Sequence, residues 1–350
     1  QRQMCIRDRI YSDGPEIDKD VITEGNQDGA VDIGEDFNWI ITTDIPADVI
    51  NEKTVPREYI IYDVLDSRLD FVKVESVKVR SKDKTQTEDL VLETDYTFTR
   101  KKVEGQAEGS DRSLIWELTE AGRGKLPQYS GGQVVITFTT RLNDTADLGT
   151  AIENGAKLDY TNWEGHRYTP ESPKPEVHTG GVSILKVDKA DPDKKLAGAK
   201  FKIYRSEADA KAGQNAVQMR NESGTLVDYE VTSGEDGIAR FVGLSYGDQT
   251  GSKPTEGETL YWIVETEAPT VDGVKYNRLH DPVKVVVNLT SHTAEPNTYT
   301  IYNAKDNYEL PFTGGTGILI FLIGGAVLLG VSYLCLLYTS PGPRDTERSR

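Results

Sequence analysis

The chain has 350 residues and a formal net charge of −17, with 57 acidic against 40 basic side chains. Such an acidic surface repels nucleic acid and anionic lipid, which argues against a nucleic-acid partner. Its two cysteines, Cys5 and Cys335, lie near opposite ends of the sequence. The body of the chain therefore holds no disulfide framework, no thiolate zinc site and no cysteine nucleophile.

The two ends differ in character from the body. The first residues read QRQMCIRDR and the tail contains CLLYTSPGPRD, and both stretches look like translated sequencing-adapter read-through. We interpret residues 1–14 as an unstructured or artefactual tip. No signal peptide is visible at the start, although a secreted and anchored protein needs one, so we interpret the chain as an N-terminally truncated fragment.

Residues 15–178 are predicted to form a first β-sandwich, domain one. Three segments, DFNWIITTDIP, YIIYDVLD and QVVITFTTRL, alternate or run apolar and are rich in Val, Ile, Thr and Tyr, as is typical of strands. Turn-forming clusters such as SGG separate the strands. The Pro-rich, polar stretch at residues 166–181 is predicted to link this domain to the next.

Residues 179–307 are predicted to form a second sandwich, domain two. Its predicted strands read VSILKVDK, AKFKIY, YWIVETEAP, PVKVVVNL and TYTIYN, and only SEADAKAGQNAV suggests a short helix or loop. No long stretch before Gly317 has helical periodicity. The predicted fold class is all-β, with two tandem Ig-like or prealbumin-like sandwiches.

A short polar segment, residues 308–316, separates domain two from an apolar run at residues 317–338. The run contains no charged residue. At about 1.5 Å per residue it is long enough, as a helix, to cross a hydrocarbon core of about 30 Å. A basic tail follows at residues 339–350, as expected on the cytoplasmic side. We predict a C-terminal transmembrane helix, with a buried core helix as the alternative.

In each predicted domain three polar side chains fall on otherwise apolar strand faces. Side chains at i and i+2 share a face, which places Lys186, for example, beside Ile184. Each domain has a Lys near its first strand, an acid midway and an Asn on its last strand: Lys19, Asp63 and Asn162 in domain one, and Lys186, Glu265 and Asn303 in domain two.

This pattern has two interpretations. In one, the strands are half-exposed and the charges point to water, since Lys and Glu are seldom fully buried. In the other, each domain forms an intramolecular isopeptide bond. Desolvation lowers the pKa of the Lys amine, which becomes a neutral nucleophile, and raises the pKa of the acid, which keeps its proton. The acid then polarises the Asn carbonyl and moves protons as ammonia leaves.

The segment ELPFTGG resembles the LPXTG cell-wall sorting signal of Gram-positive surface proteins, since a membrane span and a basic tail follow it. The motif residues are Leu310, Pro311, Phe312, Thr313 and Gly314. The resemblance implies that a sortase attacks the Thr313–Gly314 carbonyl and passes the threonyl product to peptidoglycan or to another pilin subunit.

The two predicted domains also resemble known families. GGVSILKVDK, LAGAKFKIY, YWIVETEAP and IYNAKD are similar to the B-type repeat of collagen adhesins and pilins, which has a prealbumin-like fold. VDIGEDFNWIITTDIP, YIIYDVLDSRLDF and NGAKLDYTN are similar to the fimbrial isopeptide-forming domain. The resemblance implies Lys–Asn bonds between the residues named above, promoted by Asp63 and Glu265.

Two details depart from a simple match. Asn154 is a poorer candidate than Asn162 for the domain-one bond, because it precedes the predicted strand. PTVDGVKY, after Glu265, is longer than the corresponding turn of the family. We expect it to alter a loop and not the bond.

The sequence therefore predicts a structural pilin subunit in the cell wall of a Gram-positive bacterium, polymerised or anchored by sortase. The alternative is a wall-anchored adhesin or stalk that binds a host ligand and never polymerises. An acceptor lysine would discriminate between them, and Lys174 in SPKPE is only a weak match. An enzyme is the least supported class, because no cofactor or metal motif emerges.

Overall fold

We describe a computed structural model of the chain. It describes residues 14–102, 111–221, 223–293 and 298–306. Almost all of its regular structure is β, as the composition of the predicted strands indicates, and the described residues through Ala304 form one compact unit.

Among the described residues, the first sandwich contains thirteen strands and one short helix. The strands are β1 (Ile17–Val21), β2 (Asp28–Ala30), β3 (Asp36–Asp44), β4 (Glu58–Val64), β5 (Leu69–Arg80), β6 (Thr87–Asp89), β7 (Tyr96–Lys101), β8 (Ser113–Leu118), β9 (Gln133–Leu142), β10 (Ile152–Glu153), β11 (Ala156–Thr161), β12 (Arg167–Tyr168) and β13 (Glu176–His178), and the helix is α1 (Glu120–Lys125). Short 3₁₀ turns span Glu52–Thr54 and Leu126–Tyr129.

In the part of it that the structure describes, the second sandwich contains eleven strands and one short helix. The strands are β14 (Gly180–Asp188), β15 (Lys200–Tyr204), β16 (Gln218–Arg220), β17 (Leu226–Asp228), β18 (Glu230–Thr232), β19 (Ile238–Leu244), β20 (Thr259–Glu267), β21 (Thr270–Val271), β22 (Val274–Lys275), β23 (Val283–Val287) and β24 (Tyr299–Asn303), and the helix is α2 (Glu207–Ala212).

Two five-stranded sheets face each other in the first sandwich. One has the order β1-β3-β9-β5-β6 and the other the order β12-β11-β4-β8-β7. Alternate residues of their strands, such as Trp39, Ile61 and Phe138, are fully buried between the sheets. Burial of aromatic and branched side chains on one face of each strand is what the alternation in the sequence predicts.

The second sandwich is smaller. A three-stranded sheet, β19-β14-β24, faces a four-stranded sheet, β18-β15-β20-β23. Strands β14 and β24 pair in parallel, whereas the other neighbours in these two sheets are antiparallel. The two sandwiches have separate hydrophobic cores, the first drawn from Ile17–Val177 and the second from Val182–Ile301.

The short helix predicted in SEADAKAGQNAV is present as α2. The Ser206 side chain accepts a hydrogen bond from the Asp209 N–H, and Gly213 closes the helix at a φ of 65°. Helix α1 was not predicted. Two glycines in EAGRGK weaken the helical signal, and its start depends on a cap by Thr119 that contacts Gly122.

The stretch predicted as a linker, residues 166–181, is regular structure over part of its length. It contains β12 and β13, and β13 pairs in parallel with β2 and antiparallel with β10. The division of the chain into domains 15–178 and 179–307 stays a prediction.

The two sandwiches contact each other through the segment around β2. Asp32 pairs with Arg205, and its Oδ1 accepts the backbone N–H of Ser245 at 2.6 Å. The Ile33 N–H donates to the Gly243 carbonyl at 2.9 Å. Gly243 has a φ of +73°, and a Cβ there would lie 2.5 Å from the Ile33 side chain, so only glycine fits. The junction is thus a specific contact and not only a tether.

Candidate functional site

The second sandwich brings Lys186, Glu265 and Asn303 into direct contact. Lys186 lies on β14 and Asn303 on the neighbouring parallel strand β24, where Asp188 is opposite Asn303 and Lys186 is opposite Ile301. Both side chains therefore point into the core, and they are 0% and 2% exposed. The Lys186 amine donates to Asn303 Oδ1. The three residues lie together as the sequence predicts.

Glu265 reaches this pair from β20, on the facing sheet. Its Oε1 lies 3.2 Å from Lys186 Nζ. The Asn303 amide nitrogen donates to Oε1 at 2.7 Å and to Oε2 at 3.0 Å. One carboxyl oxygen thus contacts both the amine and the amide nitrogen.

Burial changes the protonation of the amine. Desolvation lowers the pKa of Lys186 to about 8, although the neighbouring Glu265 carboxyl partly opposes the shift. The Phe201 ring, 5.8 Å from Nζ, is part of the apolar surroundings. About a tenth of the amine is therefore neutral at pH 7, and the neutral amine is the nucleophilic form.

The segment after Glu265 contributes to the site, contrary to our expectation that PTVDGVKY would alter only a loop. The backbone N–H of Leu279 donates to Glu265 Oε2 at 2.6 Å. The Tyr276 hydroxyl donates to Asp188 Oδ2 at 3.0 Å. Sequence reasoning missed Tyr276, Leu279 and Asp188. Asp188 could have been found, since it shares the apolar face of Lys186 at i+2.

The first sandwich buries Lys19 on β1 and Asp63 on β4 of the facing sheet. They are 0% and 1% exposed, and their side chains form an ion pair across the core. The Trp39 ring lies 4.8 Å from Lys19 Nζ, and the Phe138 ring lies 5.5 Å from it. This Lys and this acid meet as the sequence predicts.

Burial also shifts the pKa values of Lys19 and Asp63. Desolvation lowers the pKa of Lys19 to about 8, with Asp63 opposing the shift. Desolvation also raises the pKa of Asp63, against the opposing effects of Lys19 and of the Asn154 amide. Both shifts favour the neutral amine and the neutral acid.

The structure does not bring Asn162 to this pair, and that prediction is wrong on geometry. Strands β4 and β11 are antiparallel, with Ala156 opposite Asp63 and Thr161 opposite Glu58. Asn162 follows Thr161, so it lies about 20 Å along the sheet from Ala156, at about 3.3 Å per residue. Its Oδ1 instead accepts the His166 N–H at 2.8 Å and closes a turn.

Asn154 takes the place that was expected for Asn162. It precedes β11, is 2% exposed, and lies close enough to Asp63 for its amide to lower the pKa of that carboxyl. Its backbone N–H donates to the Pro175 carbonyl at 3.0 Å. Neither polar atom of its side chain, nor Asp63 Oδ1, has a partner at full hydrogen-bond geometry among the described residues. The amide is therefore at the site but loosely held.

Other predicted features lie outside the described ranges. The motif from Leu310 to Gly314, the apolar run at 317–338 and both tips are among them. Across the described ranges, no helix is long and apolar enough to cross a membrane, and no group of three His, Cys, Asp or Glu side chains could hold a metal ion.

Comparisons with known proteins agree with the all-β fold. Residues 180–251, in the second sandwich, match the model of the SpaA prealbumin-like fold domain. The chain is 27% identical over 333 residues to the type 1 fimbrial subunit of Actinomyces viscosus, which covers 85% of this chain and 59% of that protein. The chain is thus distantly similar to a Gram-positive fimbrial subunit.

Solved pilin structures are similar in fold to this chain. The 35 kDa C-terminal fragment of the major pilin GBS80 of Streptococcus agalactiae is 23% identical, with a TM-score of 0.66, over 83% of this chain and all of that one. Domains D2 and D3 of the major pilin SpaD of Corynebacterium diphtheriae are 21% identical, with a TM-score of 0.59, over 83% of this chain and 99% of that one. These likenesses establish an all-β fold of several sandwiches.

The match to curated fimbrial subunits is partial in length. The chain spans about three fifths of each of the two Actinomyces proteins that it matches, at 59% and 62% of their lengths. What those proteins do as wholes is therefore a proposal for this one.

Proposed function

We propose that this protein is a structural subunit of a Gram-positive fimbria, in which each sandwich is closed by a Lys–Asn isopeptide bond. The observation that carries the proposal is the buried contact of Lys186, Glu265 and Asn303, in which one carboxyl oxygen lies 3.2 Å from the amine and 2.7 Å from the amide nitrogen. Apolar side chains of similar volume often stabilise a protein core as well as a buried charged cluster does, or better. Stability alone therefore does not explain this cluster.

The bond-forming step needs no outside reactant. Neutral Lys186 Nζ attacks Asn303 Cγ and gives a tetrahedral intermediate with negative charge on Oδ1. The amine then loses a proton and Nδ2 gains one, with Glu265 Oε1 in contact with both nitrogens. The Cγ–Nδ2 bond breaks and ammonia leaves, so the products are one secondary amide and one ammonia.

In the first sandwich we assign the bond to Lys19 and Asn154, with Asp63 as the promoting acid. Asn162 is too distant along β11 to take part. The raised pKa of Asp63 and the lowered pKa of Lys19 suit the same step. Asn154 Cγ has to move onto Lys19 Nζ, and the absence of full hydrogen bonds to its side chain from the described residues leaves it free to do so.

With such bonds, a force that pulls on the subunit would act on covalent bonds and not only on the hydrogen bonds between strands. In the second sandwich the bond joins residues 117 positions apart on the first and last strands. By the chain-entropy estimate used for disulfides, closing a loop of this size stabilises a protein by about 4 to 5 kcal/mol. An isopeptide bond needs no oxidant, in keeping with a body that holds no cysteine.

Assembly of the subunit is proposed to use the sorting motif at Leu310–Gly314. Sortase cleaves between Thr313 and Gly314 and joins the threonyl end to another pilin subunit or to peptidoglycan. The support is the motif itself and the fimbrial and major-pilin relatives. A wall-anchored adhesin that binds a host ligand is the alternative, and incubation with a pilus-type sortase separates them, because polymers form ladders and an anchored adhesin does not.

Intact mass of the full chain tests the cross-links. We expect it to be lighter than the sequence by two ammonias, and proteolysis is expected to release one peptide pair joined through Lys186 and Asn303 and another through Lys19 and Asn154. A full-length mass with nothing lost would reject both bonds.

A further inference from the structure

We propose that Tyr276 and Asp188 are positioning residues for the Lys186–Asn303 bond, and that they act by holding the Leu279 N–H against Glu265. The inference rests on the proposed isopeptide chemistry of the second sandwich. It concerns two residues outside the Lys, acid and Asn set: Asp188 at the end of β14, and Tyr276 at the end of the segment expected to be only a loop.

Asp188 lies next to the two residues that are proposed to react, Lys186 and Asn303. It is fully buried, lies opposite Asn303 in the β14–β24 ladder, and follows Lys186 by two residues on the same face. Its Oδ1 accepts the Ala190 N–H at 2.8 Å, and its Oδ2 accepts the Tyr276 hydroxyl at 3.0 Å. Asp188 is thereby a buried anchor for Tyr276.

Tyr276 is a suitable donor to this anchor. Its side chain is 4% exposed, and burial, reinforced by the hydrogen bond to Asp188, raises its pKa to about 12. The hydroxyl therefore keeps its proton over the whole physiological range. The β21–β22 hairpin delivers it through a tight two-residue turn in which Asp272 and Gly273 have φ values of 52° and 78°.

Three contacts hold the segment from Tyr276 to Leu279 over the site. Tyr276 contacts Asp188, the Asn277 N–H donates to the Ala304 carbonyl at 2.8 Å, and the Leu279 N–H donates to Glu265 Oε2 at 2.6 Å. The first two contacts flank the reacting side chains on β14 and β24. The third reaches the acid itself.

The Leu279 contact fixes the orientation of the Glu265 carboxyl group. The backbone N–H holds Oε2 on the side of the loop, at 2.6 Å. Oε1 then faces the reacting groups, 3.2 Å from Lys186 Nζ and 2.7 Å from Asn303 Nδ2. The Tyr276–Asp188 anchor thus keeps in place the oxygen that contacts both nitrogens.

The test follows the two linked peptides in newly translated full-length chain, quenched at intervals. Tyr276→Phe is expected to slow the Lys186–Asn303 link about tenfold, the effect of losing one well-placed hydrogen bond in the transition state. The Lys19–Asn154 link in the same molecules is expected to keep its rate.

Tyr302→Phe is the matched control, since Tyr302 lies on β24 and is 48% exposed. Asp188→Asn keeps an acceptor for the hydroxyl and should link at close to the wild-type rate, whereas Asp188→Ala should behave as Tyr276→Phe does. A wild-type rate of the Lys186–Asn303 link in Tyr276→Phe would overturn the inference alone. An equal loss in Asp188→Asn and Asp188→Ala would also overturn it. Absence of the Lys186–Asn303 link from the wild-type chain would instead reject the proposed chemistry, and this inference with it.

Discussion

The two buried sites use the same three kinds of side chain on different scaffolds. In the second sandwich Lys186 and Asn303 lie on neighbouring parallel strands of one sheet, and Glu265 faces them from the other sheet. In the first sandwich Lys19 lies on one sheet, while Asp63 and the approach to β11 that carries Asn154 belong to the other. A bond in the second site would join two strands of a sheet, whereas a bond in the first would join the two sheets.

The sites also differ in how firmly the acid and the amide are held. Both oxygens of Glu265 have partners, one of them the Leu279 N–H. In the part of the chain that the structure describes, Asp63 Oδ1 and both polar side-chain atoms of Asn154 have none. The comparison teaches that the packing of two sheets can bring a buried Lys to an acid, whereas the second sandwich also orients its acid with a backbone donor from a neighbouring loop, the Leu279 N–H.

The largest effect is expected from Glu265→Ala. The variant should be lighter than its own sequence by one ammonia instead of two, because only the first-sandwich bond forms. Its unfolding free energy should fall by about 5 kcal/mol or more, since loop closure is lost and Lys186 is left buried without an acid. Intact mass and denaturant unfolding measure both changes.

Glu267→Ala is the control for this variant, since Glu267 is on the same strand and its side chain is 60% exposed in a pair with Lys200. It should keep both bonds and lose at most about 1 kcal/mol. Two ammonias lost from Glu265→Ala would contradict the role of the acid.

A slightly smaller effect is expected from Asn154→Ala, which leaves the Lys19–Asp63 pair intact. The chain should again be one ammonia heavier, and its unfolding free energy lower by about 4 to 5 kcal/mol. Asn162→Ala is the matched comparison, and it should keep both bonds and lose about 1 kcal/mol, because it only removes the acceptor for the His166 N–H. The reverse result would restore Asn162 as the reacting amide.

The smallest effect concerns pH, in Asn154→Ala, where Lys19 stays a free amine. The folded-state pKa of Lys19 is lowered from 10.5 to about 8, so between these values the unfolded chain binds more protons than the folded chain. The unfolding free energy should therefore rise with pH from about 8 to 10.5, by a few kcal/mol at most, and should gain nothing from this group below that window. Urea unfolding across this range checks it.

The double variant Asn154→Ala, Lys19→Met removes the titrating amine and separates its contribution from those of other lysines and tyrosines. If the single and double variants show the same pH dependence over this window, the lowered pKa of Lys19 is refuted.

Much of the fold and of both sites followed from local pattern. The strands were predicted from alternation, because one face of each strand must be buried. The same alternation placed Lys19, Asp63 and Lys186 inward, and the structure confirms that they are buried. The motif at Leu310–Gly314 and the apolar run after it stay predictions, since they lie outside the described residues.

What the sequence by itself determined is which side chains turn inward, since that depends only on the two-residue period of a strand. Asn154 and Asn162 share this parity, so the period cannot choose between them. The tertiary structure decided the choice, because antiparallel register sets Ala156 and not Thr161 opposite Asp63. It likewise brought Leu279 to Glu265 across a turn that no periodicity describes. Register and loop closure are long-range pairings, and a one-dimensional pattern does not contain them.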